Sequence, residues 1–185
     1  MSREQKILQA AERLFSERSF DGVGIDAIGK EAGIVGSGVY RHFSSKQEIL
    51  ATLMDEVIDA MLLQVPETTD DPRADLRALV AVHVRFCLGR AQLADIWQRE
   101  NHLLTDDHLR RFTRRQHQYI EHWVGLLDAC YPGHPREDLV ATIRGVHALM
   151  SSDTTRRAGS RPPADLESLL VRLAMAAMDG LRTED

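Results

Sequence analysis

The chain has 185 residues, with 23 basic groups, 28 acidic groups and 43% hydrophobic residues, a globular balance that excludes a disordered chain. Its longest apolar run, Leu173 to Met178, is six residues against the roughly 20 that a membrane span needs. With no basic-then-apolar leader and two cysteines, Cys87 and Cys130, outside any metal-ligand spacing, the expectation is a reduced cytoplasmic protein without membrane contact, disulfide or zinc.

The net charge of −5 is unevenly spread. Residues 1–46 carry +1 and residues 47–185 carry −6, so the first part is free to face a polyanion.

Helical periodicity runs through the chain with no alternating strand, which predicts an all-α fold of about nine helices. Ser2 caps a first helix with Ile7, Leu8, Ala11, Leu14 and Phe15 on one face, ending near Phe20-Asp21-Gly22. A short second helix carries Ile25, Ile28 and Ala32 and stops at Gly33. A very short segment, Gly36 to Phe43, follows. Ser45-Lys46-Gln47-Glu48 reads as a capping box opening a long helix through Ile49, Leu50, Leu53, Val57 and Met61. Asp71-Pro72 supplies a cap and an N1 proline for a helix to about Leu88, broken at Gly89. Further helices span roughly Gln92 to Asn101, Thr105 to Cys130 and Pro135 to Met150. After a polar linker, Ser151 to Pro162, the last runs from Pro163 to Leu181.

Two short helices joined through Gly33 and backed by a first helix form a unit of about 45 residues. This is the helix-turn-helix arrangement, whose second helix enters the major groove. On a wheel of about 100° per residue, Val39 and Phe43 share the buried face and Ser37 and Arg41 point opposite. Tyr40 and His42 flank that ridge, with Gly38 beside His42. Such a ridge reads base edges while its flanks hydrogen-bond to phosphates. Gly36 and Gly38 each cost a helix about 1 kcal/mol relative to alanine, which makes sense where backbone approaches another surface. The alternative is a helical bundle that binds a small molecule or cofactor and has no DNA role. That reading gives no reason to expose Tyr40-Arg41-His42.

Gly33-Ile34 followed by Val39-Tyr40-Arg41-His42-Phe43-Ser44-Ser45-Lys46-Gln47-Glu48-Ile49-Leu50 resembles the N-terminal signature of the TetR family of bacterial transcriptional regulators. Ala10-Ala11 to Phe15 and Ile28 to Gly33 match the first two helices of that family, so the resemblance covers residues 5–50. It implies a DNA-binding domain at 1–46, a helical ligand-binding and dimerisation domain at 47–185, and a homodimer. It also implies that Tyr40, His42 and Lys46 stand at phosphate-contacting positions. Gly24 departs from the family, which places Ser or Thr there as a cap; the exchange costs only a few tenths of a kcal/mol.

In the second part, Leu109, Phe112, Tyr119, Ile120, Trp123 and Leu127 form an inward stripe interrupted by Gln116. His83 likewise interrupts Leu76, Leu79, Val80 and Cys87. A polar group in an apolar stripe is either satisfied inside the core or part of a ligand pocket. With Trp97 and Asn101 on the intervening helix, the candidate ligand residues are His83, Trp97, Asn101, Phe112, Gln116, Tyr119 and Trp123. The candidate DNA residues are Gly36, Ser37, Gly38, Tyr40, Arg41, His42 and Lys46. Neither Gly-x-Ser-x-Gly nor a phosphate loop occurs, and His117 and His122 are five apart. No catalytic residue, cofactor or metal is therefore expected.

The function these readings predict is a ligand-responsive regulator, a repressor, that binds a palindromic double-stranded operator and leaves it when a small lipophilic effector binds. Trp97-Gln98-Arg99-Glu100 with Arg110-Arg111 and Arg114-Arg115 loosely resembles family members that sense coenzyme A thioesters, although these arginines also suit a solvated face. The homodimer is expected through residues 135–150 and 163–181, on Leu139, Ile143, Val146 and Met150 and on Leu166, Leu169, Leu170, Leu173, Ala177 and Leu181. The place of action is the cytoplasm, at the nucleoid.

Overall fold

Ser2 starts the first helix, α1 (Arg3–Arg18), with a closed capping box: its hydroxyl accepts the Gln5 N–H and the Gln5 side chain accepts its own. The computed structural model describes residues 1–155 and 161–182, and within them every side chain except those of Trp97, Gln98, Asn101, Thr154 and Thr155. α2 (Ile25–Glu31) ends as expected at Gly33, which takes φ +73°. The Gly33 N–H then bonds to the Lys30 carbonyl at 3.2 Å and the Ile34 N–H to that of Gly29 at 2.9 Å, closing the helix end.

α3 (Gly36–Val39) packs against α2 at backbone distance. A Cβ on Gly29 would sit 3.0 Å from Gly36 Cα, and one on Gly36 would fall 1.8 Å from Asp26 Oδ1. The surface that Gly36 approaches is therefore α2 of its own chain. The helical segment is also shorter than expected, with Tyr40 as its cap, yet the His42 and Phe43 N–H groups still turn back to the Val39 carbonyl.

α4 (Lys46–Leu63) is opened by Ser45, whose Oγ accepts the Glu48 N–H at 3.1 Å. Only this half of the expected box forms. The Glu48 carboxylate turns instead to the N–H and hydroxyl of Ser44, at 2.5 and 2.6 Å, and those bonds hold its pKa below the usual carboxylate value.

The remaining helices are α5 (Pro72–Gly89), α6 (Ala91–Glu100), α7 (Asp106–Cys130), α8 (Arg136–Met150) and α9 (Leu166–Asp179), with short 3-10 turns at Asn101–Leu103 and Ser152–Thr155. The last helix begins later than expected because Asp165, at φ −119° and ψ 41°, is not helical. Part of the expected linker, residues 156–160, lies outside the described residues.

The chain forms two compact units, residues 1–59 with 92–114 and residues 60–91 with 115–185. These divide within α4 and α7, and the buried stripe of α4 runs on through Met54, Val57 and Ile58. In the first unit α2 packs on α1 and α3 over Ile7, Ala11, Phe15, Ile28 and Val39, none of them exposed.

In the second unit α5 packs on α8 and α9, and α8 on α9. Asp71 caps α5 through the N–H groups of Arg73 and Ala74, as its sequence predicts. The Arg73 guanidinium donates to both oxygens of Asp179, at 2.9 and 2.8 Å, and to the Tyr131 hydroxyl at 2.9 Å, tying α5 to the end of α9. Leu139, Ile143, Val146, Met150 and Leu170 are all buried within this one chain, which corrects their assignment to a subunit contact. A single chain uses that stripe for its own core. Gly145 and Ala148 of α8 and Leu173, Ala177 and Gly180 of α9 are exposed.

α7 departs from its wheel. Leu109 is 41% exposed and Gln116 half-buried, although both share the helix face of buried Phe112, Tyr119, Trp123 and Leu127. The wheel assumes one core along the whole helix, whereas α7 serves two units.

Candidate nucleic-acid interface and buried ring cluster

The reading segment is pinned by Val39, fully buried, and Phe43, 6% exposed. With those two inward, Ser37, Tyr40, Arg41 and His42 are all exposed, the disposition the wheel predicts. Gly36 and Gly38 are half-buried. His42 Nδ1 lies 3.6 Å from Glu4 Oε1 of α1, a contact that becomes an ion pair only when the imidazole is protonated. The ridge thus offers a hydroxyl on the short α3 and a phenol, a guanidinium and an imidazole on the turn that follows it. Those are the donors and acceptors that base edges and phosphates require.

Lys46 has a different setting from the other six. Its ammonium donates to the carbonyls of Phe20 and Val23, at 2.7 and 2.9 Å, and lies 4.0 Å from the centre of the Phe20 ring. Two of its three donors are therefore committed to the α1–α2 turn. The same turn is held by α6, where buried Glu100 accepts the Phe20 N–H at 3.2 Å. Arg99 donates to the Phe15 and Ser16 carbonyls at the end of α1 while bonding to Asp95 at 2.7 Å. Sequence reasoning missed this role for Arg99 and Glu100, since the partners are some 80 positions apart. Arg110 pairs with Asp107, and Arg111 and Arg114 are exposed.

In the second unit His83, Tyr119 and Trp123 come together, joined by His147, which sequence reasoning did not select. His83 Nδ1 meets the Tyr119 hydroxyl at 2.9 Å, and the His83 and His147 rings stack at 4.3 Å and 17°. Trp123 meets both imidazoles edge-on, at 5.8 and 4.8 Å. Burial pushes the His83 pKa down to about 4 and that of His147 well below the usual histidine value, so both rings are neutral. Burial likewise raises the Tyr119 phenol, and it pushes the neighbouring Cys87 thiol up to about 12, leaving it unreactive.

Two buried atoms of this cluster, Trp123 Nε1 and His147 Nε2, have no partner at hydrogen-bonding geometry. His147 borders the buried stripe of α8, one position after Val146, and that position was the available signal. Of the other expected ligand residues, Phe112 is buried in the core of the first unit and Gln116 is half-buried. The side chains of Trp97 and Asn101 lie outside the described residues.

The family model described as "Bacterial regulatory proteins, tetR family" matches residues 7–53, and "Tetracyclin repressor-like, C-terminal domain" matches residues 69–154. The chain is similar to the HTH-type transcriptional repressor KstR2 of Rhodococcus jostii (strain RHA1), 27% identical over 131 residues, which are 69% of this chain and 64% of the relative. It therefore spans just under two thirds of that relative's length.

Among solved structures it resembles the ketosteroid transcriptional regulator KstR2 of Mycobacterium tuberculosis, with TM-score 0.81, 21% identity, and coverage of 99% of this chain and 96% of that one. It also resembles AibR in complex with isovaleryl coenzyme A and operator DNA, with TM-score 0.79, 17% identity, and coverage of 95% and 97%. At these identities the structures speak for the fold. The two family matches together cover more than two thirds of the chain, and the protein belongs to the TetR family of bacterial transcriptional regulators, which are not enzymes.

Proposed function

We propose that the protein is a repressor that binds a palindromic operator as a homodimer and is released by a small lipophilic effector. The observation that carries the DNA half is the pinned ridge: Val39 and Phe43 are buried, and Ser37, Tyr40, Arg41 and His42 are exposed around them. Arg41 and Ser37 read base edges, and Tyr40 and His42 hydrogen-bond to the phosphate walls. Gly38 lets the backbone come close to the DNA, while Gly36 serves the contact with α2. Lys46 acts mainly by holding the α1–α2 turn. Such a protein works in the cytoplasm, on the nucleoid.

The effector half rests on the ring cluster. Its rings are aromatic and its histidines neutral, and Trp123 Nε1 and His147 Nε2 are buried polar atoms that an effector's oxygen would satisfy. His83 and Tyr119 satisfy each other and line the same cluster. Phe112, Gln116, Trp97 and Asn101 remain candidates by sequence. Coenzyme A thioesters are one class to test, because the similar AibR was solved with isovaleryl coenzyme A. Since α4 and α7 contribute residues to both units, an effector acts through helices the reading unit shares.

The test is a titration of acyl-coenzyme A compounds and unrelated lipophiles, following tryptophan emission and release of a selected operator. A compound that binds and lowers DNA affinity supports the switch. Compounds that bind without changing DNA affinity exclude it, since a ligand shifts an equilibrium only by its differential affinity for the two states.

A further inference from the structure

Val35 occupies the N-cap of α3, at φ −72° and ψ 149°, and no side chain accepts the free N–H groups of that helix start. Branched apolar residues rank among the poorest at this position, where Ser, Thr, Asp and Asn accept a hydrogen bond. Val35 is also 72% exposed. Its Cγ2 lies 3.7 Å from the point a Cβ on Gly38 would occupy, so the missing side chain at 38 leaves that methyl bare. One residue thus combines two locally unfavourable choices, an uncapped helix start and uncovered apolar surface.

Both choices fall at the end of the reading helix that meets bases. In helix-turn-helix proteins the N-terminal residues of the recognition helix contact base edges. The apolar feature a base presents in the major groove is the 5-methyl group of thymine. A valine there gains by covering that methyl, and a serine would give its contact away for a cap.

We infer that Val35 is a specificity-determining residue, packing its isopropyl group on the 5-methyl of one thymine in each operator half-site. The inference rests on the operator-DNA reading of the ridge. Neither Ser37 nor Arg41 supplies an apolar surface, so the two kinds of readout are separable: hydrogen-bonding groups on the ridge, and a methyl contact at its start.

The experiment uses the whole protein. A preferred sequence is selected from a pool of random duplexes, and each thymine in it is then replaced by uracil, which removes the methyl group alone. The expected result is one position per half-site at which uracil weakens binding about fourfold, the factor that one buried methyl group is worth. V35S should bind thymine and uracil equally at that position, and V35A, which keeps one methyl, should show a smaller difference than the unmodified protein. V35S, which provides a cap, should resist urea at least as well as the unmodified protein. A flat uracil scan with the unmodified protein overturns the thymine assignment, and so does a uracil effect that persists in both variants. Failure to select any sequence overturns the operator-DNA reading as well, which distinguishes the two failures.

Discussion

The Glu100 carboxylate accepts the backbone N–H of Phe20 at 3.2 Å, while Lys46 donates to the Phe20 carbonyl at 2.7 Å. Both polar groups of one turn residue are thus held by side chains from distant helices, α6 and α4. The turn sets the angle between α1 and α2, and so the platform on which α3 sits. Removing the acceptor leaves a buried N–H unsatisfied. Glu100→Ala is expected to lower stability by about 1–3 kcal/mol in urea unfolding, with Glu100→Gln, which keeps an acceptor oxygen, losing less. An alanine variant as stable as the unmodified protein contradicts the clamp.

Lys46→Met separates two roles. If the ammonium holds the turn, stability falls with the two lost hydrogen bonds, and operator affinity falls while its salt dependence stays the same. A phosphate contact would instead reduce the salt slope by about one unit. The comparison is the slope of log affinity against log salt for the two proteins.

The ring cluster makes stability depend on pH. The His83 pKa is about 4 in the fold against an ordinary 6.5, so the unfolded chain binds the proton first as pH falls. Stability is complete above pH 6.5 and is lost as pH falls towards 4. From His83 alone the loss is on the order of 2 kcal/mol at pH 5. His147, lowered for the same reason, adds in the same direction. Urea midpoints should fall between pH 7.5 and pH 5, and less steeply in His83→Phe. Equal slopes for the two proteins contradict neutral burial.

With the inner stripes buried in one chain, we place the subunit contact of the proposed homodimer on the outward faces of α8 and α9. Leu173, 46% exposed, shares the exposed side of α9 with Ala177 and Gly180, and α8 exposes Gly145 and Ala148; such small residues let helices approach closely. Leu173→Glu is expected to give monomers by light scattering at micromolar concentration with helicity preserved. A Leu173→Glu protein that remains dimeric places the contact elsewhere.

Local rules were legible in the sequence wherever one residue decides the outcome. Gly33 in the left-handed region, the Asp71-Pro72 start and the Val39–Phe43 pin all follow from residue type and spacing. The reading ridge was legible for the same reason, because its burial depends on a single face. What escaped depends on tertiary partners. A wheel reports that Leu139, Ile143, Val146 and Met150 are apolar and not whether they meet α5 or a second subunit. It equally gives no sign that Glu100 reaches Phe20, or that the carboxylate of Glu48 prefers Ser44. His147 escapes a wheel that gives its stripe to the dimer, and burying that stripe within one chain is what brings His147 onto His83.

The central claim, that the ridge reads a symmetric operator, is tested most directly by selecting random duplexes with the unmodified protein and with Arg41→Ala. The account predicts a palindromic site whose half-site centres lie about 34–36 Å apart or a multiple of that, with Arg41→Ala changing base preference at one symmetric pair of positions. No enrichment of any sequence, or the same site and affinity for both proteins, would contradict it.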